Sequence, residues 1–206
     1  LDGALRSLST ERCLTAARDP CCDVAGNFIG PPWDSLRGGG RRESAQGRGM
    51  SGEGSKESMR RSSVQEDNED VRRYWNQEAC GTARPIVGEV PELSREWFER
   101  IESYRYELEP FIHSVAQFTR HHGQRMLEIG VGAGTDHLQW ARAGLDCHGV
   151  DLTERAIEVT RARLALYGLT SHLQRIDAEI LPFPDQSFDL VYSWGVIHHS
   201  ESPERI

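Results

Sequence analysis

The chain is expected to be an α/β protein built on an open, mostly parallel sheet with helices ahead of it. Three observations predict this. The apolar run Met126-Leu127-Glu128-Ile129 feeds into the alternating glycines Gly130, Gly132 and Gly134, and an amphipathic stretch from His137 to Ala143 follows, which is the order strand, tight turn, helix. Strand-like and helix-like segments then alternate, the pattern of crossover-linked parallel strands. Several of those strands end on an acid: Glu128, Asp151 and Asp177.

Taken in order, residues 1–63 carry no sustained period of 3.6 or 2.0, and the run from Gly38 to Ser63 mixes glycine, serine, arginine and glutamate. Such a segment buries too little apolar surface to offset its ordering entropy, so it is expected to be disordered. A second expectation is that it is a translated upstream region, because the first methionines are Met50 and Met59 and every basic residue of the chain except Lys56 is arginine. Residues 64–122 read as a helical cap. An acidic first turn from Gln65 to Asn68 starts a helix through Val71, Tyr74 and Trp75 that stops near Gly81. Ser94 is placed to cap a second helix with Trp97, Phe98, Ile101 and Tyr104 on its apolar side. Pro110 opens a third helix, with Phe111, Ile112, Val115 and Phe118 expected inward.

Residues 123–206 supply the sheet. After the glycine turn, Asp146 to Asp151 is a short strand, and Thr153 to Tyr167 is a crossover helix with Ala156, Ile157, Val159, Thr160 and Leu164 on one face, ended by Gly168. Leu173 to Ile176 is the third strand. Pro182 and Pro184 mark a rigid turn, and Phe188 to Tyr192 is the fourth strand, ending at Ser193-Trp194-Gly195. Four strands in spatial order 3-2-1-4 are therefore expected. A sheet of this kind needs further strands past its switch point, so the chain is expected to be a fragment of a longer protein.

Composition excludes several functions. The net charge is −8, and residues 1–58 hold eight acids and eight bases, so the acidic excess lies beyond them. A nucleic-acid surface needs a basic footprint, so no such partner is expected. No apolar run is long enough to span a bilayer and no signal peptide is visible, so no membrane partner is expected. The five cysteines (Cys13, Cys21, Cys22, Cys80 and Cys147) are odd in number and lack paired C-x-x-C spacing. That argues against a disulfide framework or a metal site and for the cytoplasm.

Ligands of an open α/β sheet bind beyond the carboxyl ends of its strands. Glu128, Asp151, Asp177 and Ser193 would face that crevice. Asp151 can accept from both hydroxyls of a ribose, and the competing role for Asp151 and Asp177 is to cap the helices that follow them. The glycines do not form the dinucleotide fingerprint, because Thr135 stands where G-x-G-x-x-G needs its last glycine. Glu128 would repel a pyrophosphate but tolerates an ammonium or sulfonium.

The segments LEIGVGAGTD, GVDLTERAIEVTRARLALYGL and DAEILPFPDQSFDLVYSWGVIHH resemble the class I S-adenosylmethionine-dependent methyltransferases, in particular the broad group that includes quinone-biosynthesis C-methyltransferases. The resemblance covers residues 124–206 and implies a Rossmann-like sheet with S-adenosyl-L-methionine as cofactor and a small molecule as methyl acceptor. By this resemblance Gly130, Gly132 and Gly134 would hold the methionine end of the cofactor, and Glu128 would order that loop or contact the amino group. Asp151 would hold the ribose, Leu152 would pack on the adenine, and Asp177 and the Ala178 amide would bond its edge. Ser193, Trp194 and Gly195 would approach the sulfur. Cap residues Trp75, Tyr104, Arg105 and Tyr106 are candidates for the pocket wall.

No catalytic base is assigned. His198 and His199 are candidates, since histidine titrates near neutral pH. As neighbours in sequence their side chains are expected to point apart, which argues against a shared metal. Two other readings stand beside methyl transfer: a domain that binds S-adenosylmethionine without turnover, and an NAD or nucleotide-sugar enzyme on a similar sheet.

Overall fold

A computed structural model describes residues 12–16, 68–77, 79 and 81–206. Five parallel strands form one sheet: β1 (Arg12–Ala16), β2 (Arg125–Ile129), β3 (Asp146–Asp151), β4 (His172–Arg175) and β5 (Leu190–Trp194), in the order β1-β5-β2-β3-β4. The last four strands thus stand in the 3-2-1-4 order read from the sequence. Strand β1 is an addition that the sequence reading does not place. Its backbone pairs with β5 from Arg12 opposite Leu190 to Ala16 opposite Trp194, occupying donors and acceptors that a bare edge would leave open. The remainder of residues 1–63, and with it the expectation of disorder or foreign sequence there, lies outside the described residues.

Helices fill the rest: α1 (Glu69–Gln77), α2 (Arg84–Val87), α3 (Arg95–Leu108), α4 (Ile112–Ala116), α5 (Thr135–Arg142) and α6 (Glu154–Ala165). Both faces of the sheet are covered, which is why its strands read as apolar runs. Met126, Cys147, Leu190, Tyr192 and Trp194 pack with Ile112, Phe118 and Trp140 on one face. Leu127, Ile129 and Val150 pack with Ile176, Phe183, Phe188 and Val196 on the other.

The Ser94 cap is present: its hydroxyl accepts from the Trp97 amide at 3.2 Å, and Trp97, Phe98 and Ile101 of α3 are buried. Ser94→Ala should lower stability by about 1 kcal/mol, read as a shift of the urea midpoint at unchanged slope.

The third cap helix needs correction. It stops after Ala116 because Gln117 adopts a left-handed conformation (φ 50°), and a separate 3-10 turn runs over Phe118–His121. The break preserves the inward set Ile112, Ala116 and Phe118 but leaves Phe111 38% and Val115 45% exposed. A stripe counted over an unbroken helix puts both on the wrong side. Among the described residues, no helix is long and apolar enough to cross a membrane.

Candidate functional site

A cavity of about 190 Å³ opens where the carboxyl ends of β2, β3 and β5 meet α1 and α3. Nine of the eleven expected contact residues line it: Glu128, Gly130, Gly132, Asp151, Leu152, Asp177, Ala178, Trp194 and Gly195. Gly134 and Ser193 do not. A Cβ on Gly134 would meet Thr160 of α6 (2.8 Å to Oγ1), so this glycine serves the packing of helix on turn. The Ser193 hydroxyl donates to the Ile129 carbonyl at 3.1 Å, tying β5 to β2 beneath the cavity floor.

The turn takes its shape from backbone that side chains rarely adopt. Gly130 sits at φ 79°, and a Cβ there would come within 2.2 Å of Val196. Gly132 sits at φ 52° with open space where its Cβ would be, so ligand atoms can approach the main chain. Its amide donates to Asp151 Oδ2 at 3.1 Å, which couples the first strand tip to the second.

Asp151 Oδ1 meanwhile accepts from the Thr153 amide at 2.9 Å and the Thr153 hydroxyl at 2.8 Å. With the Leu152 amide also directed at it, the carboxylate has most of its roughly four acceptor positions engaged inside the protein. A ribose hydroxyl would compete there with donors such as the Thr153 hydroxyl and the Gly132 amide. Burial raises the Asp151 pKa against these hydrogen bonds, which hold it down. Asp177 also has two duties. Its Oδ1 caps the following 3-10 turn through the Glu179 amide (3.0 Å), and its Oδ2 accepts from the Asn68 side chain at 2.9 Å. Capping and cavity lining are thus combined in Asp177, whereas the helix after Asp151 is capped by Thr153, whose hydroxyl accepts from the Ala156 amide at 3.2 Å.

Glu128 is buried, and its Oε2 lies 2.9 Å from His137 Nδ1 on α5. The other ring nitrogen lies 2.8 Å from the Ser171 hydroxyl, which donates to the Cys147 carbonyl at 2.7 Å. Because Ser171 spends its proton on that carbonyl, His137 Nε2 must donate, and a single proton is shared between Glu128 and Nδ1. Burial pushes the Glu128 carboxyl up to about 7 despite the opposing histidine. A carboxyl whose folded pKa is raised from 4.5 to about 7 binds more protons folded than unfolded in that window. Its contribution to stability is full below the unfolded value and falls as pH rises through about 7. Glu128→Gln, which keeps a hydrogen-bonding side chain of the same shape, should flatten the decline in urea-unfolding free energy between pH 5 and 8.

Several groups at the site were not singled out from the sequence. Asp136, fully buried on α5, accepts from Arg105 Nη2 at 2.7 Å, the Tyr192 hydroxyl at 2.8 Å and the Tyr106 hydroxyl at 3.1 Å. Glu109 accepts from Trp194 Nε1 at 3.1 Å and from Arg105 Nη1 at 2.8 Å. Buried Arg163 of α6 donates to the Ala133 carbonyl (3.1 Å), Thr135 Oγ1 (2.6 Å), the Phe98 carbonyl (3.1 Å) and Glu102 (2.8 Å), clasping the glycine turn to α3.

Of the cap candidates, Trp75, Tyr104 and Arg105 line the cavity, while Tyr106 reaches it only through Asp136. His199 lines the wall with its ring edge-on to Trp75 (5.5 Å between centroids). His198 does not line it. The two histidine rings lie 4.1 Å apart, close together and not splayed, because a 3-10 turn over Ile197–His199 carries them.

Residues 127–206 match the family model described as a methyltransferase domain. The ubiquinone biosynthesis O-methyltransferase of Roseobacter denitrificans is 38% identical over 81 residues, which is 39% of this chain and 33% of that protein. An uncharacterized methyltransferase of Bacillus subtilis, YcgJ, is 38% identical over 76 residues, 36% of this chain and 30% of that protein. The crystal structure of YcgJ aligns with a TM-score of 0.41 at 32% identity, covering 45% of this chain and 42% of the other. The chain spans about a third of the length of these curated relatives. The glycine turn and the acidic strand tips Glu128, Asp151 and Asp177 all lie within this segment from Leu127 to Ile206, which is similar to methyltransferase domains.

Proposed function

We propose that this chain binds S-adenosyl-L-methionine in the strand-tip cavity and that the protein it represents transfers the methyl group to a small-molecule acceptor. One observation carries the reading: Glu128, Asp151 and Asp177 converge on a single cavity with the open main chain of Gly132 between them. An acidic wall suits a ligand bearing ammonium and sulfonium charges and disfavours a pyrophosphate. When bound, the cofactor supplies an electrophilic methyl whose leaving group is a neutral thioether.

The chain's own groups do the holding. Gly132 lets the methionine end lie against the backbone, Asp151 accepts from the ribose, and Asp177 with the Ala178 amide faces the adenine edge. Leu152 flanks the base. Trp194 and Gly195 border the region of the sulfur, and Glu109 fixes the Trp194 ring through its indole nitrogen. Alignment of two reactants in such a site is worth effective molarities of roughly 10⁵ M or more. His199, on the cavity wall beside Trp75, is the candidate to take a proton from an acceptor that keeps one.

Calorimetric titration with S-adenosylhomocysteine tests the binding step. Saturable binding is expected, with proton release at pH 6, because a ligand ammonium near Glu128 draws out its carboxylate form. Heats that do not depend on buffer ionisation would remove Glu128 from the amino-group contact. Saturation by NAD in place of S-adenosylhomocysteine would overturn the reading. Transfer of labelled methyl to a panel of phenols, carboxylates and activated carbon acids then tests the chemistry. Binding without turnover of any acceptor would favour a domain that only binds.

A further inference from the structure

We propose that Asp146, His148 and His172 form a binding site for a divalent transition ion of the zinc class, at the end of the sheet remote from the cavity. The sequence reading expects no metal, having weighed only the cysteines and the pair His198 and His199. The three residues here come together through strand register. Asp146 and His148 are two apart on β3 and so share a face, and His148 pairs with His172 of β4. Their potential ligand atoms all lie within 4.8 Å of one another.

Asp146 Oδ1 is 3.7 Å from His148 Nε2 and 4.0 Å from His172 Nε2, and the two imidazoles are stacked with centroids 4.5 Å apart. Tetrahedral ligands at zinc bond lengths sit roughly 3.3 Å apart, so a small rotation of exposed His172 closes the set. Two imidazoles and one carboxylate, with the fourth position left to water, match the donors preferred by zinc, copper and nickel over calcium or magnesium.

The protonation pattern suits this use. Arg125 Nε donates to His148 Nε2 at 3.2 Å, so the ring carries its proton on the buried Nδ1 and turns its lone pair toward the cluster. A guanidinium now occupies the place of a cation. Arg125 also meets Asp146 Oδ2 at 3.4 Å, the oxygen that a metal on Oδ1 would leave free. It can yield Nε2 while keeping that contact, the Ser187 carbonyl at 3.3 Å and the Phe188 ring at 5.1 Å. It then becomes an outer partner that orients the carboxylate. An ion here would fasten the largely exposed strand β4 to β3, a structural role separate from cofactor binding.

Titration of the full chain with Zn²⁺ and Co²⁺ tests this, alongside His172→Ala and, as a control, the double variant His198→Ala with His199→Ala. One equivalent of Zn²⁺ is expected to bind wild type and the control, raise the unfolding midpoint, and bind His172→Ala at least about tenfold more weakly. Co²⁺ should give a visible absorption band that His172→Ala lacks. His172 is exposed, so its variant keeps the fold. Equal Zn²⁺ affinity in wild type and His172→Ala, or no equivalent that depends on His172, would overturn the proposal and leave Arg125 as the only cation of the cluster.

Discussion

Asp136→Ala is expected to destabilise the chain by about 3 kcal/mol or more, the largest effect of any single substitution considered. The carboxylate is buried and answers three donors, Arg105, Tyr106 and Tyr192. Removing it strands two phenols and deprives a guanidinium of one of its two anions. Arg105 keeps Glu109, which holds the loss near the lower end of the range for a broken buried pair. Burial opposes the Asp136 charge, but Arg105 and the hydrogen bonds from Arg105, Tyr192 and Tyr106 win, so its pKa lies below the ordinary value. A carboxylate held low contributes stability that is present above its unfolded pKa and is lost as pH falls through the folded one. Urea unfolding of wild type and Asp136→Ala should therefore converge under acid and diverge near neutrality. A loss below about 1 kcal/mol at pH 7 would mean that the three donors find water instead.

Asp151→Ala is the substitution with the largest expected effect on ligand binding. Loss of a charge-assisted pair of hydrogen bonds to the ribose should weaken S-adenosylhomocysteine binding by about 1.5–3 kcal/mol, on the order of 10- to 100-fold. Asp151 also holds the Gly132 and Thr153 amides, so the substitution loosens the turn as well. Thr153→Val keeps both amide bonds to Asp151 and, besides uncapping α6, tests whether acceptor positions limit the ribose contact. It removes the hydroxyl bond to Oδ1 and frees an acceptor position, so it should leave affinity unchanged or raise it. Unchanged affinity in Asp151→Ala would remove the ribose assignment.

The parts of this molecule legible in the sequence are those where one physical rule acts locally. Apolar runs ending on acids gave strands with those acids at one rim, and Ser94 caps α3 as a short polar residue before an amphipathic run should, while the cap of α6 is Thr153 and not Asp151. Illegible were the interactions that join distant segments. Arg163 sits among the charged residues of an ordinary amphipathic helix, and only the approach of α3 and the glycine turn makes it a buried clasp. Asp136 looks like a favourable first-turn acid, and nothing in its neighbours announces that Arg105 and Tyr192 will meet it. The outward Phe111 and Val115 were misread for a different reason: one left-handed residue, Gln117, resets the helical phase. Asn68, at the start of α1, reaches Asp177 and Glu179 across more than a hundred residues, a pairing that no periodicity can suggest.

The shared direction of the strands has a practical corollary. Each enters the sheet at one pole and delivers its last residue to the other, so the turns that precede β2, β3, β4 and β5 stand roughly 16 Å from the chemistry for a strand of five residues. The exposed bend around Gln186 and the linker at Thr170 are on that far pole. Either would serve to tether the protein to a sensor chip or carry a reporter group while the mouth of the cavity stays unobstructed.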